Sequence, residues 1–274
     1  MPYLERQGIR LFYERQGDGN PPLVFVHGNA CSHEDWQQQV DFFRTRQSVI
    51  TCDLRGHGAS DGAPEHCSIE TFGADLSALL STLDLQAAIL IGHSVGCRVV
   101  LQGYLDAPQR VAGLILVDGS RIAVGDPQVA EQTAQQTLQS VGYPTIIRHL
   151  FDDMFLEGSD PALKERLVSR ALALPEEIGA TLLPRVSGWD ARTMDRALSQ
   201  IAVPLLVLQS TYINTEDVRV PLQPGVTTPW LELIQQHVPT AWIEIVSGVG
   251  HFSMLEAPEA VNQSVAAFVA KVAH

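Results

Sequence analysis

The sequence is poor in positive charge. It has 18 Lys and Arg residues against 31 Asp and Glu residues, which gives a formal net charge of −13 at pH 7 over 274 residues. Such a surface repels nucleic acids and anionic lipid headgroups, so we predict neither nucleic acid nor membrane as a partner. The predicted partner is a small-molecule substrate, and the composition leaves the oligomeric state open.

Long apolar runs are also missing. Residues Met1 to Arg6 contain no apolar signal core, and no run reaches the roughly 18 apolar residues that a membrane-spanning helix needs. We therefore predict a cytoplasmic protein.

Cysteine is scarce and irregularly spaced. The four residues Cys31, Cys52, Cys67 and Cys97 form no Cys-x-x-Cys pair, and no His-Glu-x-x-His run occurs. These patterns argue against a disulfide scaffold and against a metal site. We predict four free thiols, no metal and no cofactor.

The sequence does contain a Gly-x-Ser-x-Gly motif, Gly92 to Gly96, with Ser94 at its centre. A short apolar run precedes it and apolar residues at helical spacing follow it. The two glycines permit a sharp turn between strand and helix, which exposes the serine hydroxyl. The pattern predicts a nucleophile elbow; the alternative is a glycine-rich turn with a surface serine.

Strand and helix patterns alternate along most of the chain, which is typical of an α/β fold with a mainly parallel sheet. Between Gly119 and Gln200 no strong strand pattern occurs, and an insertion of this length suggests a functional lid. We predict a core formed by residues 1–119 and 201–274 and a helical cap at 120–200, with breaks at 158–161 and 187–190. Predicted strands span 3–7, 10–15, 23–28, 48–54, 87–91, 113–118, 204–209 and 242–246, and predicted helices span 33–44, 68–83, 95–105, 128–139, 145–155, 161–172, 193–201 and 258–272.

Four motifs stand in an order that resembles the α/β-hydrolase fold superfamily over nearly the whole chain. They are His27-Gly28-Asn29-Ala30, the run from Asp53 to Gly58, the elbow at Ser94, and Gly250-His251. The resemblance implies a mostly parallel twisted sheet with helices on both faces and a helical cap inserted after the strand that ends at Asp118.

The resemblance also implies a triad of serine, acid and histidine, with an oxyanion hole made of backbone N–H groups. Ser94 is the predicted nucleophile and His251 the predicted base. The oxyanion donors are the N–H groups of Asn29 and Val95. A serine hydroxyl needs such a base near pH 7, and a carboxylate must orient the imidazole. We therefore expect activity to rise with pH through a group that titrates near 6 to 7.

The acid departs from the commonest pattern of the family. Where relatives often carry aspartate, this chain has Tyr212-Ile213-Asn214, and Glu216 and Asp217 come only later. Asp118 ends the strand after the elbow helix, where haloalkane dehalogenases, a group of lactone hydrolases and cofactor-independent quinolone dioxygenases place their acid. We predict Asp118, within hydrogen-bond reach of His251; Glu216 and Asp217 are the alternatives.

The residues predicted to line the substrate pocket are mostly aromatic, which favours an apolar substrate of small to medium size. Those that fall in the predicted cap, Phe155 and Trp189, could equally belong to the cap's own core. The five candidates are His33, Trp36, His93, Phe155 and Trp189.

The predicted activity is hydrolysis of an ester, a lactone or a related acyl compound through an acyl-enzyme. Ser94 at the elbow argues against haloalkane dehalogenases and epoxide hydrolases, which attack with a carboxylate there. Three alternatives remain: a cofactor-independent dioxygenase acting on a quinolone-like heteroaromatic through a His/Asp dyad, a carbon–carbon bond hydrolase, and a receptor that only binds a small molecule.

Overall fold

The computed structural model describes residues 2–214, 216 and 218–272. The strands are β1 Tyr3–Arg6, β2 Ile9–Gln16, β3 Leu23–Val26, β4 Val49–Cys52, β5 Ala88–His93, β6 Val111–Val117, β7 Leu205–Gln209, β8 Thr211–Ile213, β9 Arg219–Pro221 and β10 Trp242–Ile245. The α-helices are α1 Gln37–Phe43, α2 Ile69–Thr82, α3 Val95–Asp106, α4 Pro127–Val141, α5 Tyr143–Asp152, α6 Pro161–Ala173, α7 Glu176–Ser199, α8 Pro229–His237, α9 Ser253–Glu256 and α10 Pro258–Val272.

Eight strands form one sheet in the order β1-β2-β4-β3-β5-β6-β7-β10. The hairpin of β1 and β2 is antiparallel, as predicted, and β2 also pairs antiparallel with β4. The remaining strands are parallel. Strands β3 and β5 are buried throughout, because helices cover both faces and leave no polar face for water.

Two apolar cores lie on the two faces of the sheet. One contains side chains of α2, α3, α7 and α8, and the other contains side chains of α1, α5, α6 and α10. The α/β class and the helices on both faces are confirmed. None of the helices in the described part of the chain combines the length and apolar character that crossing a bilayer requires.

Four helices, α4 to α7, lie between β6 and β7. The predicted break at 187–190 and the separate helix at 193–201 are wrong, because α7 runs unbroken from Glu176 to Ser199. The contacts of these residues explain the continuity. A Cβ on Gly188 would collide with the Glu131 carboxylate of α4, and Trp189 donates its indole N–H to Gln102 of α3 at 3.0 Å. Tertiary packing therefore overrides the weak helix propensity of glycine.

A buried ion pair ties α7 to the elbow helix. The guanidinium of Arg98 on α3 donates two hydrogen bonds of 2.7 Å to the carboxylate of Asp190 on α7. Arg170 on α6 makes a similar bidentate pair with Asp35, at 2.7 and 2.6 Å. These pairs fix the inserted helices over the carboxyl edge of the sheet.

Candidate active site

The turn between β5 and α3 has the strained geometry of a nucleophile elbow. Ser94 has φ +54° and ψ −116°, a conformation that L-residues adopt only when the surrounding structure imposes it. Its backbone N–H donates to the Val117 carbonyl oxygen at 3.0 Å. Ser94 lies between the carboxyl end of β5 and the first turn of α3.

Both glycines of the motif are required by close packing. A Cβ on Gly92 would overlap the Gly96 carbonyl oxygen, and a Cβ on Gly96 would overlap the Val26 carbonyl oxygen and lie 2.7 Å from that of His27. Larger residues at either position would push β5, α3 and the end of β3 apart. The motif is therefore a packing requirement of this turn.

The turn after β3 lies against the serine. A Cβ built on Gly28 would be 3.1 Å from the Ser94 Cβ and 3.2 Å from the His93 Nδ1 atom. The side-chain amide of the next residue, Asn29, is buried without a hydrogen-bond partner in the described part of the chain. The backbone N–H of Val95 begins α3, where intrahelical acceptors are lacking. The turn that carries Asn29 thus packs against the Ser94 elbow.

His251 lies in the loop between β10 and α9 and is buried. Its backbone N–H donates to the Met154 carbonyl oxygen at 2.7 Å, and its ring lies 4.8 Å, centroid to centroid, from that of His93. The His251 Nε2 atom is buried and has no partner among the residues that the structure describes. Burial, followed by the positive charge of Arg219, places the pKa of His251 well below its usual value of 6.5.

The neighbouring His93 is fixed as a neutral ring. Its Nε2–H donates to the His251 carbonyl oxygen at 2.9 Å, which leaves Nδ1 as an acceptor without a partner in the described structure. Burial lowers the pKa of His93 to about 4. His93 therefore supports the His251 loop through its backbone.

Asp118 is buried at the end of β6 with φ +50°. Its Oδ1 atom accepts from the backbone N–H of Ser210 at 2.8 Å and lies 2.6 Å from the Ser210 hydroxyl, while Oδ2 accepts from the Ser253 hydroxyl at 2.7 Å. The Ser210 hydroxyl is also 2.6 Å from the Gly250 carbonyl oxygen. The carboxylate is thus linked to the His251 loop on both sides of the histidine.

The predicted hydrogen bond between Asp118 and the His251 ring is absent from the described structure, in which the carboxylate accepts from Ser210 and Ser253 instead. Of the alternative acids, Glu216 is exposed and donates its backbone N–H to the Asn214 side chain at 2.9 Å. Asp217 lies outside the described residues. The identity of the acid stays a prediction.

The group that faces His251 Nδ1 is Arg219 of β9. Its Nη1 atom lies 3.4 Å from Nδ1 and donates to Thr211 Oγ1 at 3.0 Å. The sequence analysis missed Arg219, Ser210 and Ser253. Strands β8 and β9 have only three residues each, too few for the period-two pattern that would reveal a strand.

The five predicted pocket residues occupy different environments. His33 is hydrogen-bonded through Nδ1 to the Asp53 carboxylate at 2.9 Å. Trp36 is fully buried, 5.0 Å from Phe25, with its ring edge-on to His93. Phe155 stacks on Phe252, next to His251, at 5.4 Å. Trp189 is fully buried and donates its indole N–H to Gln102, so it is a core residue. His93 and Phe155 are therefore the two candidates nearest to His251.

An open cleft of about 410 Å³ lies beside the turn that carries Asn29. It is bounded by 30–34, by the glycine loop after β4, and by Arg170 and the end of α6. The cleft separates the end of α6 from the loops at the carboxyl edge of the sheet, and neither Ser94 nor His251 lines it.

The sequence is similar to those of several known proteins. A sequence model of the alpha/beta hydrolase family matches residues 23–264. The 3-oxoadipate enol-lactonase 2 of Acinetobacter baylyi is 27% identical over 269 residues, 96% of this chain and 94% of the lactonase. An acetyltransferase component of the acetoin cleaving system of Pseudomonas putida is 29% identical over 287 residues, 98% of this chain and 70% of that protein.

A solved structure of an N-acyl homoserine lactone degrading enzyme superposes with a TM-score of 0.78 at 25% identity, covering 97% of this chain and 100% of that one. The family model matches most of the chain, and the elbow and the sheet order agree with that match. The chain belongs to the alpha/beta hydrolase family and is an enzyme.

Proposed function

We propose that the protein is a serine hydrolase that cleaves an ester or a lactone of small to medium size. The observation that carries the proposal is the strained Ser94 elbow, which lies against the Gly28 turn. The buried His251 Nε2 atom without a partner supports it. Two of the similar proteins are lactone-degrading enzymes by name, and a lactone is a cyclic ester that the same chemistry opens.

In the proposed reaction the Ser94 oxygen attacks the carbonyl carbon while His251 Nε2 takes the hydroxyl proton. The N–H groups of Asn29 and Val95 hold the oxyanion, and its collapse expels the alcohol, which receives the proton from His251. Water then hydrolyses the acyl-enzyme by the same steps. With a lactone, the alcohol remains attached to the acyl chain.

We propose Asp118 as the acid. For Nε2 to accept a proton, the neutral ring must carry its hydrogen on Nδ1, which then needs an acceptor. Asp118 is rigid, buried and bonded to residues that flank the His251 loop. The proposal requires that His251 Nδ1 loses its contact with the Arg219 guanidinium during the catalytic cycle. Its N–H group then donates to the Asp118 carboxylate.

The pH dependence of kcat/KM should reflect the ionisation of the Asp118 carboxyl group. Burial raises the pKa of Asp118 to about 6, whereas the pKa of His251 lies well below 6.5. Protonation of the carboxylate would remove the proposed acceptor for the His251 Nδ1–H group, and we expect kcat/KM for a neutral ester to fall as the pH drops through 6. Ionisation of a carboxyl group is nearly independent of temperature, whereas the pKa of an imidazole falls on warming. If the acidic side of the pH profile moves to lower pH on warming, the group that titrates there is His251 instead.

The function itself is tested on a panel of 4-nitrophenyl esters, aliphatic lactones, vinylogous diketones and quinolones, with pH-stat titration and an oxygen electrode. We expect acid release from esters or lactones and no oxygen uptake. Oxygen consumption with a quinolone would support the dioxygenase. Cleavage of diketones alone would support carbon–carbon hydrolysis, and thermal stabilisation by a panel member without turnover would support a receptor.

A further inference from the structure

Arg219 is a half-buried positive charge that forms no ion pair with a carboxylate of the described residues. Its Nε atom is buried and has no hydrogen-bond partner in the described structure. No carboxylate of the described residues lies within 4 Å of the guanidinium, whose contacts are the neutral Thr211 hydroxyl and the His251 ring. The charges of Asp118 and Asp153 act on Arg219 from beyond that distance, and the buried Nε–H group is left unsatisfied, which costs free energy.

Three other arginines show how this chain normally satisfies such a group. Arg55 binds Asp75, Arg98 binds Asp190 and Arg170 binds Asp35, each through two guanidinium nitrogens. A planar guanidinium offers a fork of donors that matches a carboxylate. Among the described residues, Arg219 has no such carboxylate partner.

The place of Arg219 makes this difference functional. It lies on β9, which pairs with β8, and its Nη1 atom is 3.4 Å from Nδ1 of the proposed base. The net charge of −13 repels anions from the protein as a whole. A guanidinium beside the reacting centre would provide the local attraction that an anionic substrate needs.

We propose that Arg219 binds an anionic group of the substrate, so that the preferred ester or lactone carries a carboxylate or a comparable anion. This inference rests on the proposed hydrolase function. The anion accepts hydrogen bonds from the guanidinium and fills the vacant place of a partner carboxylate. Arg219 is thus a specificity-determining residue, distinct from the groups that carry out the acyl transfer.

The test compares two esters of equal acyl length, 4-nitrophenyl pentanoate and mono-4-nitrophenyl glutarate, which differ by a methyl and a carboxylate group. In Arg219→Gln we expect the ratio of kcat/KM for the glutarate to that for the pentanoate to fall about 10- to 100-fold, the range of a lost charge-assisted hydrogen bond. Arg219→Lys should restore part of the ratio. Arg192→Gln, which removes an exposed charge on α7, should leave it unchanged.

A binding measurement separates this inference from the proposed function. In Ser94→Ala, calorimetry should detect glutarate binding that is lost in Ser94→Ala/Arg219→Gln and weakened by salt. If the unsubstituted protein hydrolyses no ester but glutarate binding still depends on Arg219, the hydrolase proposal fails and the anion site stands. An unchanged ester ratio in a folded Arg219→Gln protein, with equal glutarate binding in both backgrounds, would overturn the anion site alone.

Discussion

Ser94→Ala should lower kcat for ester hydrolysis by about 10³-fold or more while the protein stays folded. Loss of a triad nucleophile has effects of this size or larger in serine proteases. The fold should survive because the substitution removes one hydroxyl group from a turn that backbone packing holds in place. The measurements are steady-state kinetics and thermal unfolding, with Ser140→Ala, an exposed helix serine, as the matched control.

Ser94→Gly provides a second measure of the same site. Glycine adopts a positive φ without the steric cost that other residues carry, so this variant should be inactive yet more stable than the unsubstituted protein by about 1 kcal/mol. Ester turnover that persists at more than a tenth of the normal rate in folded Ser94→Ala would remove Ser94 from the role of nucleophile.

Asp118→Asn should lower kcat by about 10⁴-fold, which is the effect of the corresponding substitution in a serine protease. An asparagine keeps the shape of the side chain but presents an amide where the imidazole needs a carboxylate. Glu216→Gln is the matched control because Glu216 is exposed, and its activity should stay within about twofold of normal, as expected of a surface carboxylate.

The contacts of Asp118 also separate a catalytic effect from a structural one. Ser210→Ala and Ser253→Ala each remove one hydroxyl group from the carboxylate and should cost about 1 kcal/mol of stability each. If both variants lose as much activity as Asp118→Asn, the carboxylate acts by holding the His251 loop. If they retain most of the activity, Asp118 acts on the imidazole itself.

The sequence predicts the sheet, the elbow and the position of His251 because each depends on a local pattern. Buried parallel strands are continuous apolar runs, and the elbow needs two glycines at fixed offsets from the serine. Helix α8 and the hairpin of β8 and β9 are not predicted. The hairpin strands are too short for a periodic signal, so the proximity of Arg219 to His251 depends on tertiary structure alone.

The contacts of Asp118 show the same limit of prediction from sequence. The end of a strand favours Asp118 as a well-fixed acid, and in the structure its side chain is buried. No sequence pattern, however, reveals that two serines from distant loops occupy its oxygens. Which partner a buried carboxylate selects depends on side-chain geometry across three loops, and residue spacing carries no information about that geometry.

The ion pair between Arg98 and Asp190 has a kinetic consequence. Swinging the inserted helices away from the core would separate this pair and would also free the Arg185 guanidinium from the carbonyl oxygens of residues 64, 65 and 67. We therefore expect the inserted helices to keep their place on the core throughout the turnover cycle.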